Sequence, residues 1–259
     1  MVPIKITPHQ REILLLLYRF RFLNRHHLQS FLNHKDPKRI KVWLKDLTNK
    51  KLIGRIYSNT IGENTKPAIY YLASKSHNLL KEEKDTDTRI LKRVYRERLR
   101  SKRLREHCLL LADIYFLLQE QYSSDTSIFH FFTKTDLVQH SPLPPQRPDA
   151  YIASETEEIT KRYFLEIIDA DTPRFVLRAK IKTWIEFFDE ETWQKTTKHP
   201  FPKILIVCSS ESIKEYLDRY IANIMESELA EIDFYLCTTR SIHESQLKRN
   251  VWQKVDIKD

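Results

Sequence analysis

Apolar residues recur through the first part of the chain with helical spacing, and each run opens on a helix-start signal. Thr7-Pro8 reads as an N-cap followed by proline at the first helical position. Ile13, Leu14, Leu16, Leu17 and Phe20 then give one core face to a helix from about Pro8 to Phe20. Asn24 caps a shorter second helix, roughly Arg25 to Leu32, with Leu28, Phe31 and Leu32 inward. Asp36-Pro37 opens a third by the same signal, and Ile40, Trp43, Leu44 and Leu47 form one buried stripe along it. The pattern then becomes that of strands. Leu52–Tyr57 and Pro67–Leu72 flank the polar loop Ser58–Lys66, which predicts a hairpin. The chain's two glycines, Gly54 and Gly62, both sit in it. Three helices followed by a hairpin is the winged-helix order, and Ser74 starts another short helix through Leu80.

Lys81–Asp87 is mixed in charge and reads as a linker. Arg89–Arg105 holds nine Lys and Arg against the single acid Glu97. Its partial stripe of Ile90, Leu91, Val94 and Tyr95 predicts a helix. Beyond it the pattern alternates. A helix is expected over His107–Gln121, then a strand over Ser127–Thr133 and a proline-rich loop over Ser141–Arg147. Strands over Pro148–Ala153 and Arg162–Asp169 follow, then an amphipathic helix over Arg174–Phe188. The apolar strand Lys203–Cys208, a helix over Ser212–Met225 and a strand over Ile232–Thr238 complete the order. A polar tail after Ser241 has room for one more strand or short helix. The expected architecture is two-domain α+β or α/β. It comprises a winged helix-turn-helix domain (1–81), a basic helical connector (82–105) and an αβββαβαβ domain (106–259).

Charge separates the two halves. Residues 1–105 carry 26 Lys and Arg against 9 Asp and Glu, a net of +17, while residues 106–259 carry a net of −8. A basic half seeks a polyanion, most simply nucleic acid, although charge alone would also suit a ribosome or a membrane surface. No apolar run approaches the roughly 20 residues that span a bilayer. The N-terminus has no basic-then-apolar leader, so a cytoplasmic protein without a membrane partner is expected. Cys108, Cys208 and Cys237 are far apart, which suits buried reduced thiols better than a zinc site. Two glycines cannot build a phosphate-cradling loop, which sets aside an NTPase.

The third helix adds chemistry to the charge. Opposite its apolar stripe stand Lys38, Arg39, Lys41, Lys45 and Asn49, so one face can lie in a DNA groove with cations on phosphates and Asn or Arg on base edges. Arg55, Asn59, Asn64 and Lys66 would line the wing, and Arg93, Arg96 and Arg100 of the connector would extend the contact to phosphates. The plainer alternatives are a solvated charged face, or a winged helix used as a protein adaptor. The adjacent pair His26-His27 makes a poor metal site and reads as DNA-facing or solvent-facing.

In the acidic half two carboxylates stand out. Asp149 opens the second strand after Arg147-Pro148. Glu166 lies within the third, in Tyr163-Phe164-Leu165-Glu166-Ile167-Ile168-Asp169. A charge among apolar strand residues is costly unless it is paired or bound to a cation. Adjacent strands can bring these two together as ligands for a hard cation such as Mg²⁺. The alternative is a buried Glu166 paired with Arg147 or Arg178.

This arrangement resembles the restriction-endonuclease-like fold and its PD-(D/E)xK motif, whose active members hold Mg²⁺ with the Asp and Glu and place a Lys near the attacking water. Pro148-Asp149 and Glu166 match, but Ile168 stands where the Lys should be. Lys180 or Lys182 on the next helix would have to replace it. The chain as a whole is similar to the replication-relaxation family of plasmids and other mobile elements. The resemblance rests on Thr7-Pro8-His9-Gln10-Arg11-Glu12-Ile13-Leu14, Pro67-Ala68-Ile69-Tyr70-Tyr71-Leu72, His107, Arg147-Pro148-Asp149-Ala150, and Phe164-Leu165-Glu166 with Asp169 and Thr172. It departs from the family in spacing Glu166 and Asp169 as ExxD rather than ExD, and in carrying Asp171 where a Gly usually precedes the Thr.

The resemblance implies a sequence-directed binder of double-stranded DNA, acting in replication, relaxation or its transcriptional control, with a nuclease-like domain inactive for want of its lysine. The alternative is a Mg²⁺-dependent endonuclease using Asp149 and Glu166. Partners left open are a second copy of the chain and replication or relaxation proteins.

Overall fold

The computed structural model describes residues 4–58, 60, 64–122, 127–228, 231–244 and 251–256. The chain divides into two compact units, Met1–Ala112 and Asp113–Asp259.

In the first unit the expected caps form. Helix α1 (Pro8–Phe20) begins in a capping box: the Thr7 hydroxyl accepts from the Gln10 N–H, and the Gln10 side chain accepts from the Thr7 N–H. Gln10 also donates to Asp46 at 2.6 Å, tying α1 to α3 (Pro37–Asn49), which is itself capped by Asp36. Helix α2 (Arg25–Phe31) starts at Asn24. Ile40, Leu44 and Leu47 are buried, while Trp43 is half-buried and stacks on His9 with centroids 4.7 Å apart.

Strands β2 (Ile53–Ile56) and β3 (Ile69–Leu72) pair antiparallel. The sheet has a third member absent from the sequence reading: β1 (Leu23–Asn24) pairs with β3, giving the order β1-β3-β2. Gly54 answers to packing, since a Cβ there would stand 2.1 Å from the buried Tyr71 ring. Gly62 and Asn59 lie outside the described residues.

The segment after β3 differs from expectation. A 3-10 turn (Ser74–Ser76) precedes α4 (His77–Leu80). The supposed linker is anchored: the Asp87 N–H donates to the Tyr18 hydroxyl at 2.7 Å, and Asp87 itself is buried. The single basic helix over Arg89–Arg105 is broken into α5 (Thr88–Leu91), a 3-10 turn (Val94–Leu99) and the start of α6 (Lys102–Tyr122). Two forces favour the break. Like charges at helical spacing repel along a continuous helix, and the one acid in the stretch is held elsewhere. Glu97 is buried and accepts from Arg21 at 2.9 and 3.1 Å.

The second unit is a six-stranded mixed sheet in the order β4-β5-β6-β7-β8-β9. Strands β4 (Ile128–Thr133), β5 (Ala150–Glu155) and β6 (Thr160–Ile168) run antiparallel. Strands β7 (Lys203–Cys208) and β8 (Phe234–Thr238) continue parallel to β6, and β9 (Gln253–Lys254) closes the edge antiparallel. Helices α7 (Arg174–Asp189), α8 (Thr192–Thr197) and α9 (Glu211–Glu228) carry the residues that bury one face. Leu177, Ile181 and Trp184 of α7 and Leu217 and Ile221 of α9 meet Ile204, Ile206, Phe234 and Leu236 of the sheet. Phe164 is fully buried between Trp184 and Trp193, at 4.9 and 5.2 Å; burying one such ring contributes about 1.5–3 kcal/mol. On α6, Tyr115 meets Phe131 and Tyr122 stacks on Tyr163. The expected αβββαβαβ order is present, the tail supplies the further strand it had room for as β9, and α8 and α10 (Thr239–His243) are added. All three cysteines are free and buried, and burial pushes the Cys208 thiol up to about 12.

Candidate functional site

Two places in the molecule concentrate chemistry. The first is a cleft of about 650 Å³ between α3 and the β2–β3 hairpin. Lys41, Lys45 and Asn49 line it from the helix, Arg55 and Lys66 from the hairpin, and Arg25 from α2. The apolar stripe of α3 is spent on the core, so helical periodicity leaves the cations on the open face. Lys38, Arg39, Lys41, Lys45 and Asn49 are all exposed. Among the described residues no carboxylate lines the cleft, and Lys38, Lys41, Lys45 and Lys66 have no ion-pair partner. Arg55 is braced by the Tyr57 ring, 5.0 Å from its guanidinium carbon, and the Tyr57 hydroxyl donates to the Asn64 carbonyl.

Of the connector residues, Arg93 and Arg96 are exposed, and Arg96 lies over Tyr95. Arg100 is half-buried and drawn to Glu97 at 3.8 Å, which leaves it poorly disposed toward an outside anion. His26 is exposed, but His27 is buried, a correction to the expected outward-facing pair.

The second place is at the end of β6. Asp149 directly precedes β5; its N–H donates to the Leu165 carbonyl at 2.9 Å, which brings it close to Glu166, and its carbonyl accepts from the Lys134 N–H at 2.8 Å. Both carboxylates are buried. One Asp149 oxygen accepts from the Ile167 N–H at 2.9 Å, and the other lies 3.9 Å from the Lys134 ammonium.

Lys180, on α7, donates to Glu166. Burial pushes the Glu166 carboxyl up to about 7 against the opposing pull of Lys180, and the Asp149 charge adds to the rise. Burial alone would lower the Lys180 ammonium, but Glu166, Asp149 and Asp169 outweigh it and raise it.

Of the two lysines expected as substitutes, the structure therefore brings Lys180 to the carboxylates. Lys182 is exposed, since two residues turn a helix by about 200°. The buried partner of Glu166 is neither Arg147, which donates to the Val138 carbonyl, nor Arg178, which is exposed. Lys134 escaped the sequence reading because only strand register delivers it. Among the described residues no group of three or more His, Cys, Asp or Glu converges as a metal site. The donor set is thus two carboxylates, which suits a cation that keeps water and substrate oxygens in its shell, as Mg²⁺ does.

The fold and these two sites define a mixed α+β protein in two units, one presenting a cation-lined cleft and the other a buried carboxylate–lysine cluster. The family model described as replication-relaxation matches residues 14–204, and the chain belongs to that family. No curated protein matches. Solved structures with slight likeness include restriction endonuclease FokI, at 11% identity and a TM-score of 0.34. Another is the same enzyme bound to DNA, at 14% and 0.31. Each likeness covers 95% of this chain and 47% of the other, so the chain spans about half the length of those structures. Scores this low have no bearing on its chemistry. Among the described residues no helix is long and apolar enough to cross a membrane.

Proposed function

We propose that the chain binds double-stranded DNA through its first unit, a winged helix with α3 as recognition helix and the β2–β3 hairpin as wing. The observation that carries this reading is the α3–hairpin cleft, lined among the described residues by five cations and no carboxylate. Cations without internal partners bind phosphates and release the counterions condensed on the duplex. Asn49 and the lysines of the exposed face suit base edges. Membership of the replication-relaxation family supports a DNA site on a plasmid or other mobile element as the target, in replication, relaxation or transcriptional control. The test is duplex binding by the full chain against a Lys41→Glu/Lys45→Glu variant. A loss of at least about 100-fold in affinity is expected, since two favourable phosphate contacts become repulsive. Unchanged affinity would remove α3 from the interface.

A second reading is favoured by one contact, that of Lys180 with Glu166 near Asp149. It supplies the lysine whose absence after Glu166 argued against a nuclease, and it supports a restriction-endonuclease-like unit that cuts DNA. Asp149 and Glu166 would hold Mg²⁺, which would supply charge neutralisation at the scissile phosphate. Lys180 would leave Glu166 for the phosphate, while the Ile167 N–H keeps Asp149 oriented. Plasmid nicking with Mg²⁺ or Mn²⁺, lost in Asp149→Ala, is the expected result. No metal-dependent cutting of duplex or single-stranded substrate would leave this unit a scaffold.

A further inference from the structure

After its N-terminal proline, the exposed face of α3 is polar except at one position. Val42 is 58% exposed, among the most exposed large apolar side chains of the chain. It follows Lys38 by four residues, precedes Lys45 by three and Asn49 by seven. At about 100° per residue it therefore stands within about 60° of all three around the helix axis. All three lie on one side of it and the exposed Arg39 lies about 60° to the other, so the apolar side chain stands inside the polar strip rather than at its edge. A helix in the major groove sends its flanking cations to the phosphates on either wall and its central residues to the base edges. The only apolar group displayed there is the C5-methyl of thymine. Valine suits that contact. Its branched Cβ leaves essentially one rotamer in a helix, so its methyls are held in place before binding. Of the other exposed large apolar residues of the first unit, Tyr95 and Leu99 lie on the 3-10 turn, Ile4 precedes α1, and Tyr57 follows β2 and braces Arg55; none stands on the outer face of a helix.

We infer that Val42 is a specificity residue that reads a thymine methyl in the major groove of the target site. The inference rests on the duplex-binding reading above. Burying a methyl-sized apolar group contributes about 0.8 kcal/mol, which corresponds to about fourfold in affinity.

The test begins by selecting preferred duplexes from a randomised pool with the full chain. Each thymine is then replaced by uracil, which removes the methyl and changes nothing else. At one thymine position the wild type should lose about fourfold in affinity. Val42→Ser should bind the thymine and uracil duplexes equally, and Val42→Ile should keep the discrimination. The dependence of affinity on salt should be the same in all three, because no phosphate contact has changed. Equal binding of thymine and uracil duplexes by the wild type would overturn the inference, as would discrimination that survives in Val42→Ser. In both cases duplex binding itself would stand. Failure of the wild type to bind any duplex would instead overturn the reading beneath it.

Discussion

Two sets of lysines behave oppositely in this chain. Lys41 and Lys45 of the first unit lie on an exposed helix face and find no acid among the described residues. Lys134 and Lys180 of the second unit each stand against a buried carboxylate. The same residue type is an offered charge in one unit and a compensated one in the other, and local structure decides which. In α3 the apolar stripe fixes the helix on the core and turns its cations outward. At β6, the pairing of neighbouring strands brings two carboxylates close together, and a neighbouring helix supplies the cation that makes their burial tolerable. An offered charge is an argument for a polyanionic partner. A compensated charge is first an argument about stability, and it becomes one about catalysis only when a ligand displaces the internal pair.

That contrast breaks most sharply under lysine-to-methionine substitution, which keeps length and removes charge. Lys180→Met leaves Glu166 buried beside Asp149 without its hydrogen-bonded cation. It should cost about 2–4 kcal/mol of stability at pH 8, as loss of one partner of a buried pair does, allowing for the partial exposure of Lys180. Thermal or urea unfolding reads the loss directly. A cost indistinguishable from that of a surface substitution would mean that the pair is incidental.

The pH dependence sharpens the same point. Burial raises Glu166 from its ordinary 4.5 to about 7 in the folded chain, so the native state holds a proton there that the unfolded chain releases. Its contribution is fully present below about 4.5 and is lost as pH rises through about 7. In chelator-containing buffer, wild-type stability should fall across that window, and Glu166→Gln should flatten the fall. A Glu166→Gln profile parallel to wild type would show that Glu166 titrates normally. The smallest effect belongs to the first unit. Lys45→Met should change stability by less than about 0.5 kcal/mol, because the side chain is exposed and meets no acid. A larger change in unfolding midpoint would reveal an internal role for that cation and weaken the contrast.

What could be read from the sequence follows the range of the forces involved. Caps act within a few residues, so Thr7-Pro8 and Asp36-Pro37 marked the starts of α1 and α3 correctly. The apolar strand Lys203–Cys208 matched the structure at both ends. Long-range pairings left no local trace. β1 is two residues long and exists only because β3 pairs with it. The Arg21–Glu97 pair joins residues 76 positions apart, and it accompanies the break in what reads locally as one basic helix. The carboxylate site was half legible. Asp149 and Glu166 stood out as charges among apolar residues, and helix periodicity separates Lys180 from Lys182 only once the direction of α7 is known. Lys134 could not be found without the β4–β5 register.

The central claim is that the cleft of the first unit holds duplex DNA by offered charge. Its most direct test is the affinity of the wild-type chain for duplex DNA across a series of salt concentrations. If the five cleft cations each neutralise a phosphate, the logarithm of affinity should fall linearly with the logarithm of salt at a slope of about −4 to −5. A slope near zero, or no binding at low salt, would contradict the account.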